Sequence, residues 1–378
     1  MLINQPYKSL FFDHMSTGSP TNPVFSLEEN KHFIQLDGLR GIAILLVMSG
    51  HFFYKIYIFN IGWIGLNLFF ILSGFLITSR LYYHLRQPYK KYYKNFYARR
   101  FLRIFPLYYG CLIFFFFLLP TVYKHYFLYY SGLFDLQLWY WSYTSNWLYY
   151  FHGVNSVAIF FHFWSLAVEE QFYLLWPVFV RVFYKYNIKA VLVGGILLSI
   201  AVRNYINSPR SYYNTAVATE PLLLGALIWC MFAENKLLKY YVYISILAFL
   251  SVLGLGLIFY NNASLGIDNM LLMNYGYSAI DILLVFLLSG SLLSVSISKP
   301  LTRVLSNNLL VWLGKYSYGI YVYHWIIMQT IIPKMDELLF HQYYFLIRIL
   351  GIPLVCVVSY FSFHLWEKRF LRMKKFFP

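Results

Sequence analysis

Apolar residues in this chain come in long runs, and short polar stretches, mostly basic, divide them. The runs at 41–59, 62–79, 104–122, 157–180, 188–203, 217–233, 241–260, 276–297, 316–333 and 343–365 have about the length an α-helix needs to cross the roughly 30 Å hydrocarbon core of a bilayer. The pattern predicts an all-α fold, a polytopic transmembrane helical bundle of about ten spans. A tight turn near Asn60 joins the first two runs. Residues 124–155 carry LQLWYWSYTSNWLYYF, and so many Tyr and Trp suit an interfacial or partly re-entrant segment. No internal repeat and no soluble domain is evident in the 378 residues.

Charge then orients the runs. If the N-terminus is cytoplasmic, most of the 30 Lys and Arg residues fall on the inner side, and both termini are cytoplasmic. Residues 1–36 read as a cytoplasmic tail, 37–366 as the membrane body and 367–378 as a basic cytoplasmic C-terminal tail. A chain that is 60% hydrophobic and 12% charged, with mean hydropathy +0.57, has too much apolar surface for a soluble core. The net charge of +16 sits in the inner segments as a topology signal, so nucleic acid is not an expected partner. Cys111, Cys230 and Cys356 fall inside apolar runs and form neither a disulfide framework nor a metal-ligand spacing. The first long run starts only near Gly41, which argues against a signal peptide.

Ionisable residues inside these runs are the candidate chemistry, because charge at membrane depth is costly and defaults to a functional hypothesis. Arg40 and His51 lie in DGLRGIAILLVMSGH. Eleven helical steps would put them on one face, about 16 Å apart along the axis. A dry setting favours neutral imidazole, which suits a general base, although a histidine satisfied by the bundle interior is the plainer reading. Arg40 could equally pair with Asp37 or reach lipid phosphates.

FHFWSLAVEEQFYLLWP holds His162, Ser165, Glu169 and Glu170. The seven-residue spacing sets Glu169 on a stripe with His162, Ser165 and Tyr173, while Glu170 points about 100° away. Both acids could instead pair with arginines to hold helices together. In YARRFLRIFPLYY, Arg99, Arg100 and Arg103 can share a helical face, and guanidinium forks suit phosphate oxygens. A stop-transfer anchor for anionic lipid is the competing account. Gly65, Ser73 and Gly74 would allow close helix approach. His324 sits early in its run among aromatics, and Asp281 and Glu220 are expected to be paired.

Five stretches in order, LDGLRGIAILLVMSGH, GLNLFFILSGFLI, RRFLRIFPLYY, FWSLAVEEQFYLLWP and YSYGIYVYHW, resemble the acyltransferase type 3 family of integral membrane acyltransferases. The resemblance implies that residues 37–366 are an acyltransferase domain. It would move an acetyl group from cytosolic acetyl-CoA, the acyl donor, to a hydroxyl of a carbohydrate acceptor, a lipid-linked or polymerised glycan, at or beyond the outer face. By that resemblance His51, Glu169 and Arg40 are the catalytic set, and Arg99, Arg100 and Arg103 hold the cofactor phosphates. His162, Ser165, Glu170 and His324 are further candidates, and no metal is expected. Glu169 would orient or balance a charged partner such as His51 or Arg40. An acetylated His51 or Ser165 would give a two-step route instead of direct transfer.

Some relatives add a soluble esterase-like domain that these residues do not contain, which disfavours the two-domain peptidoglycan acetyltransferases. Other glycans stay open, and with a bias toward Phe, Tyr, Asn and Lys that fits a bacterial source, lipopolysaccharide O-antigen is the expected acceptor and a bacterial inner membrane, with its lipids, the expected setting. Another exported glycan or glycolipid is the alternative. An ion-coupled transporter is the reading from a different class, but it would more naturally show repeats and broken spans.

Overall fold

The computed structural model describes residues 33–56, 59, 61–122, 131–153, 158–262, 266, 269–293, 299–338 and 343–377, and every regular element among them is helical. Ten long helices fall on the ten predicted runs: α1 Ile34–Phe52, α2 Trp63–Tyr83, α3 Tyr89–Val122, α4 Phe163–Phe183, α5 Ile188–Ile206, α6 Thr215–Ala233, α7 Leu237–Asn262, α8 Leu272–Leu293, α9 Asn308–Leu338 and α10 Tyr344–Phe376. Nearly all of the 1–36 tail, Asn60, residues 123–130 and the end of the 276–297 run lie outside the described residues.

One boundary differs sharply from expectation. The run beginning at 104 is the second half of α3, which starts at Tyr89 directly after Pro88. The intervening YKKYYKNFYARR lacks Gly and Pro and is rich in residues that tolerate helix. Hydropathy sees no span there because the side chains are basic, whereas the backbone sees no reason to stop. Placing Arg99, Arg100 and Arg103 on one continuous helix is the consequence. A π turn at Phe114–Leu118 interrupts α3 further on, and another at Phe363–Glu367 interrupts α10.

Seven helices among the described residues, α2, α3, α5, α6, α7, α8 and α10, are long and apolar enough to cross a membrane. The three that miss that mark, α1, α4 and α9, carry Arg40 and His51, Glu169 and Glu170, and His324. Their polar groups are affordable only inside a bundle. Burial agrees, since only 17% of the apolar windows of α5 and α7 is buried, against 67% for α2. α2 is thus central in the bundle, and α5, α7 and α10, the last with 22% of its window buried, lie at its periphery.

Glycine sets how closely the central helices meet. A Cβ at Gly38 would lie 1.9 Å from Leu305 O and one at Gly41 2.1 Å from Leu310 O. Backbone touches backbone there, which only glycine permits. Pairs along α1 and α9 advance together, from Gly41 beside Leu310 to His51 beside His324, so the two helices run parallel. Gly74 meets Leu222 O in the same way, at 1.9 Å, as the small residues of α2 predicted.

The aromatic connection folds inward. Its short helices Gln137–Trp141 and Ser145–His152 bury Tyr140, Asn146 and Tyr149 completely. Tyr108 on α3 donates to Tyr140 O at 2.8 Å, and Gln171 on α4 donates to Tyr143 O at 2.8 Å. Glu220 is paired as expected, whereas Asp281 is engaged through one oxygen and its buried Oδ2 has no hydrogen-bond partner among the described residues. Glu220 binds the buried Arg203 and accepts from Ser278, while Asp281 accepts from Asn67 at 2.7 Å.

Candidate active site

Three histidines from three helices converge near the C-terminal end of α1. His51 Nδ1 lies 2.9 Å from His324 Nε2. His324 is wholly buried, and its Nδ1 faces two backbone carbonyls, Tyr321 O at 2.6 Å and Ile320 O at 3.2 Å. Carbonyl oxygen only accepts, so the His324 Nδ1 carries the hydrogen, and in the neutral ring Nε2 is the acceptor. The shared contact then requires His51 to donate from Nδ1. What remains on His51 is an unprotonated Nε2, the form a general base needs.

His162, at the start of α4, closes the cluster. Its Nε2 donates to Val322 O at 3.0 Å, and its ring stands 5.4 Å from that of His324. Its Nδ1 has no hydrogen-bond partner among the described residues. Trp325 packs edge-on against His51, with centroids 4.6 Å apart, and shields one side of the ring. No group of His, Cys, Asp and Glu side chains suited to a metal ion occurs among the described residues.

Beside the histidines lies a partly open cavity of about 110 Å³. Arg40, Arg100, Arg103, Ser73, Glu169, Tyr173, Ser165 and Tyr321 supply most of its polar lining. Arg40 is held by Asp37 at 2.8 Å, the pairing that its position allowed. Glu169 accepts from Ser73 Oγ at 2.9 Å and from Tyr173, and its charged neighbours are Arg100 and Arg103. His51 is paired with His324 instead, which corrects the expectation that Glu169 would balance His51. Ser165 and Tyr321 touch through their hydroxyls, and both reach the carbonyl of His162. That hydroxyl pair separates the cavity from the imidazoles.

The sequence candidates therefore divide into two groups. Arg40, Arg100, Arg103, Ser165 and Glu169 meet at the cavity, and His51, His162 and His324 meet beyond it. Glu170 lies outside the lining, with Oε1 lacking a hydrogen-bond partner among the described residues. Arg99 also turns away, donating to Phe377 O at 2.9 Å. Tyr321 and Ser317 were missed. Their spacing of four and then three residues to His324 marks one helical face of α9, a signal hidden among neighbouring tyrosines.

Comparison with known proteins bears on what this arrangement does. A family model described as an acyltransferase domain matches residues 33–364. The chain is 30% identical over 339 residues to the peptidoglycan O-acetyltransferase OatA of Listeria monocytogenes, covering 81% of this chain and 51% of that protein. It is 28% identical over 344 residues to the O-acetyltransferase OatA of Staphylococcus aureus, covering 86% of this chain and 55% of that protein. The chain thus spans about half the length of these curated relatives. No solved structure matches it. The first of these names runs against the expectation that disfavoured peptidoglycan.

Proposed function

The chain belongs to the acyltransferase family, and on that premise we propose that it is a membrane O-acetyltransferase acting on an exported glycan. The observation that carries this reading is the layout of α1, with Arg40 on a cation-lined cavity and His51 set as a base about three turns away. With the N-terminus in the cytosol of a bacterial cell, the cavity opens toward the compartment that supplies acetyl-CoA, and the histidines lie toward the outer face. Family membership weighs against the ion-coupled transporter.

In this mechanism the phosphates of acetyl-CoA rest against Arg100 and Arg103, whose guanidinium forks match phosphate oxygens. The slender pantetheine arm enters the cavity, and the thioester passes the Ser165–Tyr321 pair. His51 Nε2 removes the proton from a glycan hydroxyl as the hydroxyl oxygen bonds to the thioester carbonyl carbon. Collapse of the tetrahedral intermediate breaks the carbon–sulfur bond, and the protonated His51 returns its proton to the CoA thiolate. His324 acts through His51, because its bonds to Tyr321 O and Ile320 O fix which nitrogen of His51 is free. Glu169 holds the two arginines and Tyr173 in place, not the base.

The names of the relatives favour peptidoglycan as acceptor over the O-antigen expected from the sequence. Purified protein given acetyl-CoA with soluble peptidoglycan fragments, or with lipopolysaccharide, tests both. Release of free CoA thiol with acetate ester appearing on the fragments is the expected result. Thiol release only with lipopolysaccharide would restore the O-antigen, and none with any glycan would overturn the reading.

A further inference from the structure

The basic segment that ends the chain is not a loose tail among the described residues. Trp366 Nε1 donates to Pro106 O at 3.1 Å, Arg99 donates to Phe377 O at 2.9 Å, and Lys94 lies 5.9 Å from the Phe377 ring. These tethers run antiparallel along α3, Trp366 beside Pro106 and Phe377 beside Arg99 and Lys94. Lys374, in the final turn Met373–Phe376, is thereby held at the level of the α3 arginines. Its strongest charged neighbours are Arg103, Arg100, Arg99 and Arg80, drawn from α3 and from the end of α2.

We propose that Lys374 is a phosphate ligand of the acyl donor, completing with Arg100 and Arg103 a polyanion site at the inner mouth of the cavity. The proposal rests on the CoA-donor reading above. Lys374, brought by the C-terminal turn beside Arg100 and Arg103 of α3, repels them, and such a cluster is stabilised when a polyanion occupies it. The acids nearby are engaged further in: Asp37 binds Arg40, Glu169 and Glu170 lie near Arg100, and Glu367 lies near Arg103. The adenosine pyrophosphate and 3′-phosphate of CoA have the charge density that such a mouth would take. The same chemistry could come from a lipid headgroup, so the test must tell the two apart.

The experiment measures CoA affinity and acetyl-CoA kinetics for the full chain in nanodiscs of zwitterionic lipid, and again with anionic phosphatidylglycerol added. Lys374→Gln should weaken CoA binding and raise KM about tenfold, as loss of a charge-assisted hydrogen bond does, with kcat kept. Lys374→Arg should restore affinity, and Lys375→Gln on the neighbouring lysine should change nothing. The Lys374→Gln deficit should shrink for 3′-dephospho-CoA if the lysine meets the 3′-phosphate, and persist if it meets the pyrophosphate. Unchanged CoA affinity in Lys374→Gln would overturn the proposal. So would a loss of phosphatidylglycerol binding alone, which would assign the mouth to lipid. Absence of CoA binding by the unsubstituted protein would instead remove the donor reading itself.

Discussion

At its C-terminal end α1 delivers His51 into a cluster where imidazoles bind one another or backbone carbonyls, and at its N-terminal end it delivers Arg40 into a cavity lined by cations. The first environment is nearly complete. Each bond to a carbonyl fixes a hydrogen, and the openings left are two lone pairs, on His51 Nε2 and on the buried His162 Nδ1. The second borders a cavity, where Arg40 is held by Asp37 and Glu169 has Arg100 and Arg103 as its charged neighbours. Both ends share the same helix pair, α1 and α9, locked by glycine contact at Gly41 and Gly314. A rigid helix with a closed polar network at one end and an open one at the other suits a catalyst that binds at one level and reacts at another.

This contrast can be broken by substitution, and the largest effect should come from the closed end. His51→Ala should lower turnover by about 100- to 10,000-fold, the usual worth of a general base, while donor affinity measured by calorimetry stays at the unsubstituted value. Equal loss of binding and turnover would mean that the two ends are not separable. At the open end, Arg103→Lys should raise the KM for acetyl-CoA about tenfold with a smaller change in kcat, because a point charge does not reproduce the guanidinium fork. A kcat loss exceeding the KM change would move Arg103 to the chemical step.

The smallest effect belongs to a charge cluster outside both ends, which serves as a baseline. Between α6 and α7, burial alone would raise the Glu234 carboxyl, but hydrogen bonds from Lys189 at 2.7 Å and Lys236 at 2.9 Å outweigh it and hold the group below the usual carboxylate range. A depressed folded value means the contribution is present at neutral pH and is lost as pH falls through the acid carboxylate range. Glu234→Gln should therefore lower the melting temperature slightly at pH 7, and the difference from the unsubstituted protein should vanish near pH 3 and fade with salt. A difference that persisted at pH 3 would point to packing.

Much of this could be read from the pattern of residues. Ten apolar runs marked ten helices because membrane depth demands continuous apolar sequence, and the spacing of Arg40 and His51 survived because α1 is unbroken. The Glu169 stripe with Ser165 and Tyr173 also stands, as all three line one cavity. What sequence hid was tertiary. The partner of His51 lies 273 residues away, and the tautomer of His51 depends on carbonyls whose positions only packing sets. The start of α3 escaped notice because a basic helix gives no hydropathy signal, and Arg99 was grouped with Arg100 and Arg103 although its side chain turns to the C-terminal segment.

The central claim is that His324 acts through His51, and a double-substitution cycle tests it most directly. Turnover and donor affinity would be measured for the unsubstituted protein, His51→Ala, His324→Ala and the double variant. Residues that work as one unit give non-additive losses. The account predicts that His324→Ala alone slows turnover, that the double variant is no slower than His51→Ala, and that all four proteins bind CoA equally. Losses that multiply in the double variant would contradict it, because His324 would then contribute independently of the base it is said to orient.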